Sequence, residues 1–342
     1  MKKLKLGIVN SSSLSKSYGG VTPFTKNLDP FLREAFDLTY IFLPDFLHDI
    51  QFIPRRLLFG LYLLGKRRRL NGFDMIISHV PEGSFVVSYG KAPFIHVFHG
   101  NSNPMLKSRY WYGRYFASIF ESMEKRVIKK AILLYTVGVE SAGIKKIFNP
   151  ILHAVKIKDP AVRSGFIHAG RLEKGKHIDK IIRLYAKLPE EIQQENPLYI
   201  AGMGTQEKAL KELAATLPMK GKIEFLGNLS NDELIEVDST KKILLMASSQ
   251  EGFPMAIAEA FSLGVPVVST DAGDIARFLK SGENGFLLPI AFHEEEYIKS
   301  IMTILNDYDR FSKNALASAA VFKAGQVARK LITDIHQVIT RK

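Results

Sequence analysis

The feature that most constrains this chain is a repeated alternation: a short apolar run, a break of Gly, Ser or Asn, then a longer amphipathic stretch. The runs are Leu4–Val9, Leu38–Leu43, Met75–Ser78, Phe94–Phe98 and Ile132–Val137. They resume at Gly165–His168, Leu198–Ala201, Ile223–Leu226, Ile243–Met246, Val265–Ser269 and Phe286–Leu288. Continuous Val, Ile and Leu runs predict strands buried on both faces, and the helical stretches between them predict the crossovers of a parallel sheet. The pattern occurs twice. The fold class is therefore α/β, with two Rossmann-like doubly wound parallel-sheet domains. No fixed-period repeat of the solenoid kind accompanies it.

The 342 residues suit two domains. Pro150 and Pro160 bracket a short connecting segment, so the division is expected as 1–155 and 156–320. Residues 321–342 are expected to form an amphipathic C-terminal helix that packs back on the first domain. The 22 Lys+Arg of residues 1–150 stand against 10 Asp+Glu, a net charge of +12; the 25 and 24 of the remainder leave +1. Such asymmetry implies that the first half meets an anionic partner. With no cysteine, disulfide scaffolds and thiolate sites are excluded. The opening Lys2-Lys3-Leu4-Lys5-Leu6-Gly7-Ile8-Val9 reads as a first buried strand rather than a signal peptide, because its apolar run is short and no small-residue cleavage site follows. No stretch reaches the ~18–20 apolar residues of a transmembrane helix. The expected location is cytoplasmic, with peripheral attachment to the inner face of the membrane.

The chemistry concentrates in residues 241–270. A strand, Lys242-Ile-Leu-Leu-Met-Ala247, runs into Ser248-Ser249-Gln250-Glu251-Gly252-Phe253-Pro254, and a helix begins at Met255. Pro254 suits a first helical position and Gly264 the residue just past the end. A glycine-bearing loop entering a helix presents unpaired N–H groups and the positive end of the helix dipole, which together bind anions. Glu251 in the loop and Glu259 one turn into the helix each suit a vicinal diol, because a carboxylate accepts from two hydroxyls at once.

The run Glu251-Gly-Phe-Pro-Met-Ala-Ile-Ala-Glu259, followed by Gly264-Val-Pro-Val-Val268, resembles the Glu-x7-Glu signature of the retaining GT-B glycosyltransferases of group 1 (family 4-like). Gly170-Arg171-Leu172-Glu-Lys-Gly-Lys176-His177 is similar to that family's G-R-L-x3-K-G motif, with His177 where glycine is usual. The resemblance implies two Rossmann-like domains facing a central cleft. It implies that Glu251 touches the donor sugar and Glu259 the ribose, and that Arg171 and Lys176 grip the diphosphate, with Lys174 an alternative second cation. It gives Gly252, Phe253, Pro254, Met255, Gly204 and Asn228 as donor-binding residues, the last beside the base. Ser17-Tyr18-Gly19-Gly20 looks like the family's glycine-rich loop, and His99, after strand Phe94–Phe98, stands where family members line the reaction centre. After Val265–Ser269 the family often carries Gly-Gly-x-x-Glu, and Ala272-Gly273-Asp274-Ile275-Ala276 lacks that glutamate.

The physics of the leaving group fits this reading. A nucleoside diphosphate must be neutralised, and Arg binds phosphate oxygens bidentately, so two fixed cations and a helix N-terminus can stand in for a metal ion. The expected reaction is transfer of a sugar from a UDP- or GDP-sugar to a saccharide or lipid-linked acceptor, anionic in keeping with the basic first half. Configuration is retained, no metal or other cofactor is used, and the setting is cell-surface polysaccharide or glycolipid synthesis. The alternatives are a catalytically silent nucleotide-sugar-binding protein of the same fold and a nucleotide-sugar epimerase.

Other motifs receive plainer readings. His96 and His99 point to opposite sides of their strand, which argues against a shared metal. Asp307-Tyr308-Asp309 is read as a helix junction rather than a metal motif. Residues 55–69 mix Leu, Phe and Tyr with Arg55, Arg56, Lys66, Arg67, Arg68 and Arg69. An amphipathic helix lying on an anionic bilayer is the favoured reading, over a core helix with a solvated basic end; a nucleic-acid patch is not adopted.

Overall fold

The structure is a computed structural model that describes residues 3–12, 21–48, 54–99, 117–138, 141–251 and 254–340. The chain forms two compact units, residues 1–150 together with 324–342, and residues 151–323. The divisions thus fall after Pro150 and after Lys323, a few residues from the expected 155 and 320.

The first unit holds six parallel strands: β1 (Lys5–Val9), β2 (Asp37–Ile41), β3 (Met75–Ser78), β4 (Phe94–Phe98), β5 (Leu133–Thr136) and β6 (Lys145–Lys146), in the order β2-β1-β3-β4-β5-β6. The second holds β7 (Phe166–Ala169), β8 (Leu198–Ala201), β9 (Ile223–Gly227), β10 (Ile243–Leu245), β11 (Val267–Thr270) and β12 (Gly285–Leu288), in the order β12-β11-β10-β7-β8-β9. Both are doubly wound sheets with helices in their crossovers, as the apolar runs imply. The strand at Lys145–Lys146 is the one that the runs do not announce.

Alternation along the first sheet explains why its strands are apolar throughout. Leu6, Ile8, Met75, Ile77, Ile95 and Val97 face one side, against Phe24, Leu28 and Leu32 of the helix Val21–Ala35 and Val327, Leu331 and Ile335 of the helix Ala324–Thr340. Val9, Ile76 and Phe94 face the other, against Phe59, Leu63, Val86, Val87 and Val127. The returning helix Ala324–Thr340 is tied polar-end first as well. Asp334 accepts from the Tyr135 hydroxyl and pairs with Lys145 at 3.0 Å, and Lys330 donates to the Lys146 carbonyl at 2.8 Å.

The second unit has its core around β7, β8 and β10, with Ile181, Tyr185, Tyr297, Ile301 and Phe311 from the covering helices. Where the chain enters and leaves this unit, Ile151 and Lys323 form a parallel bridge.

Candidate functional site

In the second sheet β7 and β10 are neighbours, yet the chain leaves β7 toward β8 and leaves β10 toward β11. Loops at the carboxyl ends of such a pair diverge, and the crevice they leave is where doubly wound sheets bind ligands. The loop after β7 carries Arg171 and Lys176; the loop after β10 carries Ser248, Ser249 and Glu251.

These two loops are pinned to each other. The Ser249 amide donates to the Gly175 carbonyl at 2.9 Å, and the Ser249 hydroxyl donates to the same oxygen at 3.2 Å. Lys176 Nζ lies 2.6 Å from Glu251 Oε1, and the Ser248 hydroxyl donates to that oxygen at 2.7 Å. Lys176 and Glu251 are thus brought together, 75 residues apart in sequence. The pair is mostly shielded from solvent, with side-chain exposures of 19% and 8%, so its attraction is less screened than a surface pair's. Lys174 is exposed on the turn Lys174–Lys176, which leaves Lys176 as the cation turned toward Glu251.

Arg171 is exposed and its side chain makes no hydrogen bond among the described residues. Its backbone is nonetheless fixed on both sides. The Gly170 amide donates to the Ala201 carbonyl and the Leu172 amide to the Met203 carbonyl, each at 3.0 Å. The neighbouring Gly202-Met203-Gly204 runs so close that a Cβ on Gly202 would sit 1.9 Å from the Gly170 carbonyl oxygen, and one on Gly204 would sit 2.4 Å from that of Leu172. Gly204, expected at the donor, is required in the first place by this packing. Asn228 is exposed just beyond β9, at the same carboxyl edge. His177 adopts φ +50°, the left-handed region where glycine pays no penalty, which accounts for glycine being usual at that place in the motif it resembles.

The helix Met255–Ser262 starts from Pro254, which stands at the N-cap rather than at the first helical position and offers no side-chain cap to the first amides. Its end is closed by Gly264 at φ +71°, with the Gly264 amide on Phe261 and the Val265 amide on Ala260. The buried guanidinium of Arg163 donates to the Leu263 carbonyl at 2.7 Å and the Gly264 carbonyl at 3.0 Å, so this end cannot drift. Glu259 is 6% exposed on this helix, and burial pushes its carboxyl up to about 7. Asp238 nearby is fully buried, with neither carboxyl oxygen hydrogen-bonded among the described residues. Burial, then the Glu259 charge, holds it well above the usual carboxylate range. His168 on β7 donates from Nδ1 to the Leu245 carbonyl at 3.0 Å, and burial lowers its ring to about 4. Arg163, His168, Asp238 and Ser248 were not singled out in the sequence; a lone Arg, His, Asp or Ser there carries no spacing signal.

Gly19, Gly20, Gly252 and Phe253 lie outside the described residues. In the first unit, His99 follows β4 and its Nε2 lies 2.9 Å from Nδ1 of His79, which follows β3. His96 points elsewhere, to the Ser84 hydroxyl at 2.7 Å. Among the described residues, no group of three or more His, Asp or Glu is arranged to hold a metal ion.

Residues 158–318, which include Arg171, Lys176, Glu251 and Glu259, match the family described as "Glycosyl transferases group 1". The second unit is a group 1 glycosyltransferase domain. Over 136 residues the chain is 32% identical to the GtfA subunit of the UDP-N-acetylglucosamine–peptide N-acetylglucosaminyltransferase of Streptococcus pneumoniae, covering 39% of this chain and 26% of that protein. It is 28% identical over 181 residues to the lipopolysaccharide core biosynthesis glycosyltransferase LpsE of Rhizobium meliloti, covering 53% of this chain and 51% of that one. The chain therefore spans a quarter to a half of the length of these curated relatives. Among solved structures, Anabaena HepE in complex with UDP superposes with a TM-score of 0.71 at 16% identity, over 98% of this chain and 100% of that one. The two-sheet fold of this glycosyltransferase domain and its companion unit is the GT-B fold.

Proposed function

We propose that the chain is a glycosyltransferase that moves a sugar from a nucleoside-diphosphate sugar to a saccharide or lipid-linked acceptor, with retention and without a metal. The observation that carries this is the meeting of the Arg171–Lys176 loop with the Ser248–Glu251 loop at the switch point of the second sheet. A UDP-sugar is the preferred donor, supported by the UDP-sugar relative GtfA and the UDP-bound HepE; a GDP-sugar is the alternative.

In this reading the diphosphate draws Lys176 away from Glu251. Glu251, still held by Ser248, then accepts from the hydroxyls of the donor sugar, while Glu259 accepts from the ribose. As the glycosidic bond to the diphosphate breaks, negative charge grows on the leaving oxygen, where Arg171 and Lys176 stabilise it. That phosphate oxygen takes the proton of the acceptor hydroxyl, which attacks from the same face. These two cations supply the charge that a divalent ion would otherwise bring. Transfer is therefore expected to persist in EDTA, and proton NMR of the product is expected to show the anomeric configuration of the donor. An inverted product, or activity abolished by EDTA and restored by a divalent ion, would refute this mechanism.

The acceptor reading rests on the first unit's charge and on one surface. The helix Arg55–Gly65 buries Leu58, Phe59 and Leu63 but exposes Leu57, Leu61 and Leu64, at 56%, 54% and 52%. Lys66, Arg67, Arg68 and Arg69 are exposed directly after it. An apolar stripe beside a basic cluster suits an anionic bilayer, each basic side chain contributing about 1 kcal/mol. Among the described residues no helix is long and apolar enough to cross a membrane, so attachment here would be to one leaflet. The chain is expected to sediment with anionic vesicles at low salt, and Arg68→Glu with Arg69→Glu to weaken this on the order of tenfold or more. Wild-type protein left in the supernatant would remove the membrane reading.

A further inference from the structure

The first unit brings two imidazoles together in a way that the transfer mechanism does not use. β3 and β4 are adjacent parallel strands, and His79 and His99 are the residues next after their carboxyl ends. Their rings meet at a centroid distance of 5.1 Å, with His79 Nδ1 and His99 Nε2 2.9 Å apart. Phe24 presses an edge-on contact against each, at 5.4 Å and 5.3 Å. The remaining ring nitrogen of His99, Nδ1, is buried and has no hydrogen-bond partner among the described residues.

Both rings are neutral at physiological pH. Burial lowers His99 to about 3; burial, and then the charges that His99 and His96 would carry, lower His79 well below the ordinary histidine value. Between two neutral imidazoles one nitrogen must donate and the other accept, so the bond fixes both tautomers together. If His79 donated, His99 would carry its proton on Nδ1 and leave a buried N–H unpaired. If His99 donates from Nε2, what stays unpaired is a lone pair, and buried orphan N–H groups are the rarer and costlier case.

We propose that His79 is a positioning residue for His99. It accepts from His99 Nε2 and so holds His99 with Nδ1 as a bare acceptor for a sugar hydroxyl. The inference rests on the glycosyltransferase reading for the identity of that hydroxyl, but not for the tautomer. It gives His99 a binding task, as an acceptor at Nδ1.

The test is nitrogen-15 NMR of the imidazoles in the full chain, with the His99 signals assigned by His99→Gln. In wild type His99 is expected as a single Nε2–H tautomer with no titration between pH 5.5 and 8.5. In His79→Leu that pattern is expected to give way to an averaged one, with kcat/KM for transfer from the sugar donor about tenfold lower, the value of one neutral hydrogen bond. His79→Gln, whose amide oxygen can still accept, is expected to recover part of the rate, which a loss of packing alone would not allow. UDP affinity is expected to be unchanged in both variants. A His99 Nδ1–H tautomer in wild type, or an unaltered His99 pattern and rate in His79→Leu, would overturn the proposal. Failure of wild type to bind UDP would instead refute the donor reading and leave the tautomer result standing.

Discussion

Arg171→Ala is expected to lower kcat about 10²–10³-fold while leaving the melting temperature of the protein essentially unchanged. The two halves of that expectation have separate causes. The Arg171 side chain is exposed and makes no hydrogen bond among the described residues, so folding does not depend on it. Its backbone, by contrast, is locked by the Gly170–Ala201 and Leu172–Met203 hydrogen bonds and by the glycine contacts beneath it. A cation held on a rigid loop costs little to reorganise when charge develops on the leaving phosphate, and losing one such group typically removes two to three orders of magnitude. Steady-state kinetics with the sugar donor checks this. A rise in KM with kcat intact would mean that Arg171 holds the ground state only. Lys176 differs in kind: it is already paired with Glu251, so its removal also leaves a shielded carboxylate without its partner.

Glu259→Ala is expected to raise the dissociation constant for UDP about 10²-fold, because two hydrogen bonds from ribose hydroxyls to a carboxylate are lost together. The same residue makes stability depend on pH, and the direction follows from its raised value. An unfolded Glu ionises near 4.5, whereas folded Glu259 ionises at about 7. Between these values the folded state keeps a proton that the unfolded chain has lost. The contribution is full below 4.5 and is lost as pH rises through 7, amounting to about 3 kcal/mol across the window. Glu259→Gln, which cannot titrate, is expected to show a denaturation midpoint flatter across pH 5–8 than wild type. Donor binding, which favours the carboxylate, is expected to release protons below pH 7, seen as a buffer-dependent heat in calorimetry. Parallel stability curves for wild type and Glu259→Gln would show that Glu259 ionises as an ordinary carboxylate.

The alternation of apolar runs made both sheets legible because a strand buried on two faces cannot hide its composition. β6 escaped because Lys145–Lys146 carries no such run. It is held by the Lys146 ammonium donating to the Val137 and Gly138 carbonyls and by the returning C-terminal helix. At the site, Arg171, Lys176, Glu251 and Glu259 stand out in the sequence through the family motifs they resemble, but the Lys176–Glu251 pair does not. It is made by two loops that only the parallel order of β7 and β10 brings together. Asp238 carries no signal in the sequence, and its complete burial beside Glu259 depends on how two helices pack. His79 was equally silent: its meaning comes from His99 on the next strand.

The second unit is proposed to bind a nucleoside diphosphate through its own cations and carboxylates. The most direct measurement is thermal unfolding of the chain with UDP, and with GDP in parallel, in EDTA. At a hundredfold excess over its dissociation constant, the bound nucleotide is expected to stabilise by about 2.7 kcal/mol, with the shift lost in Glu259→Ala. No shift with either nucleotide, or a shift of equal size in Glu259→Ala, would contradict the account.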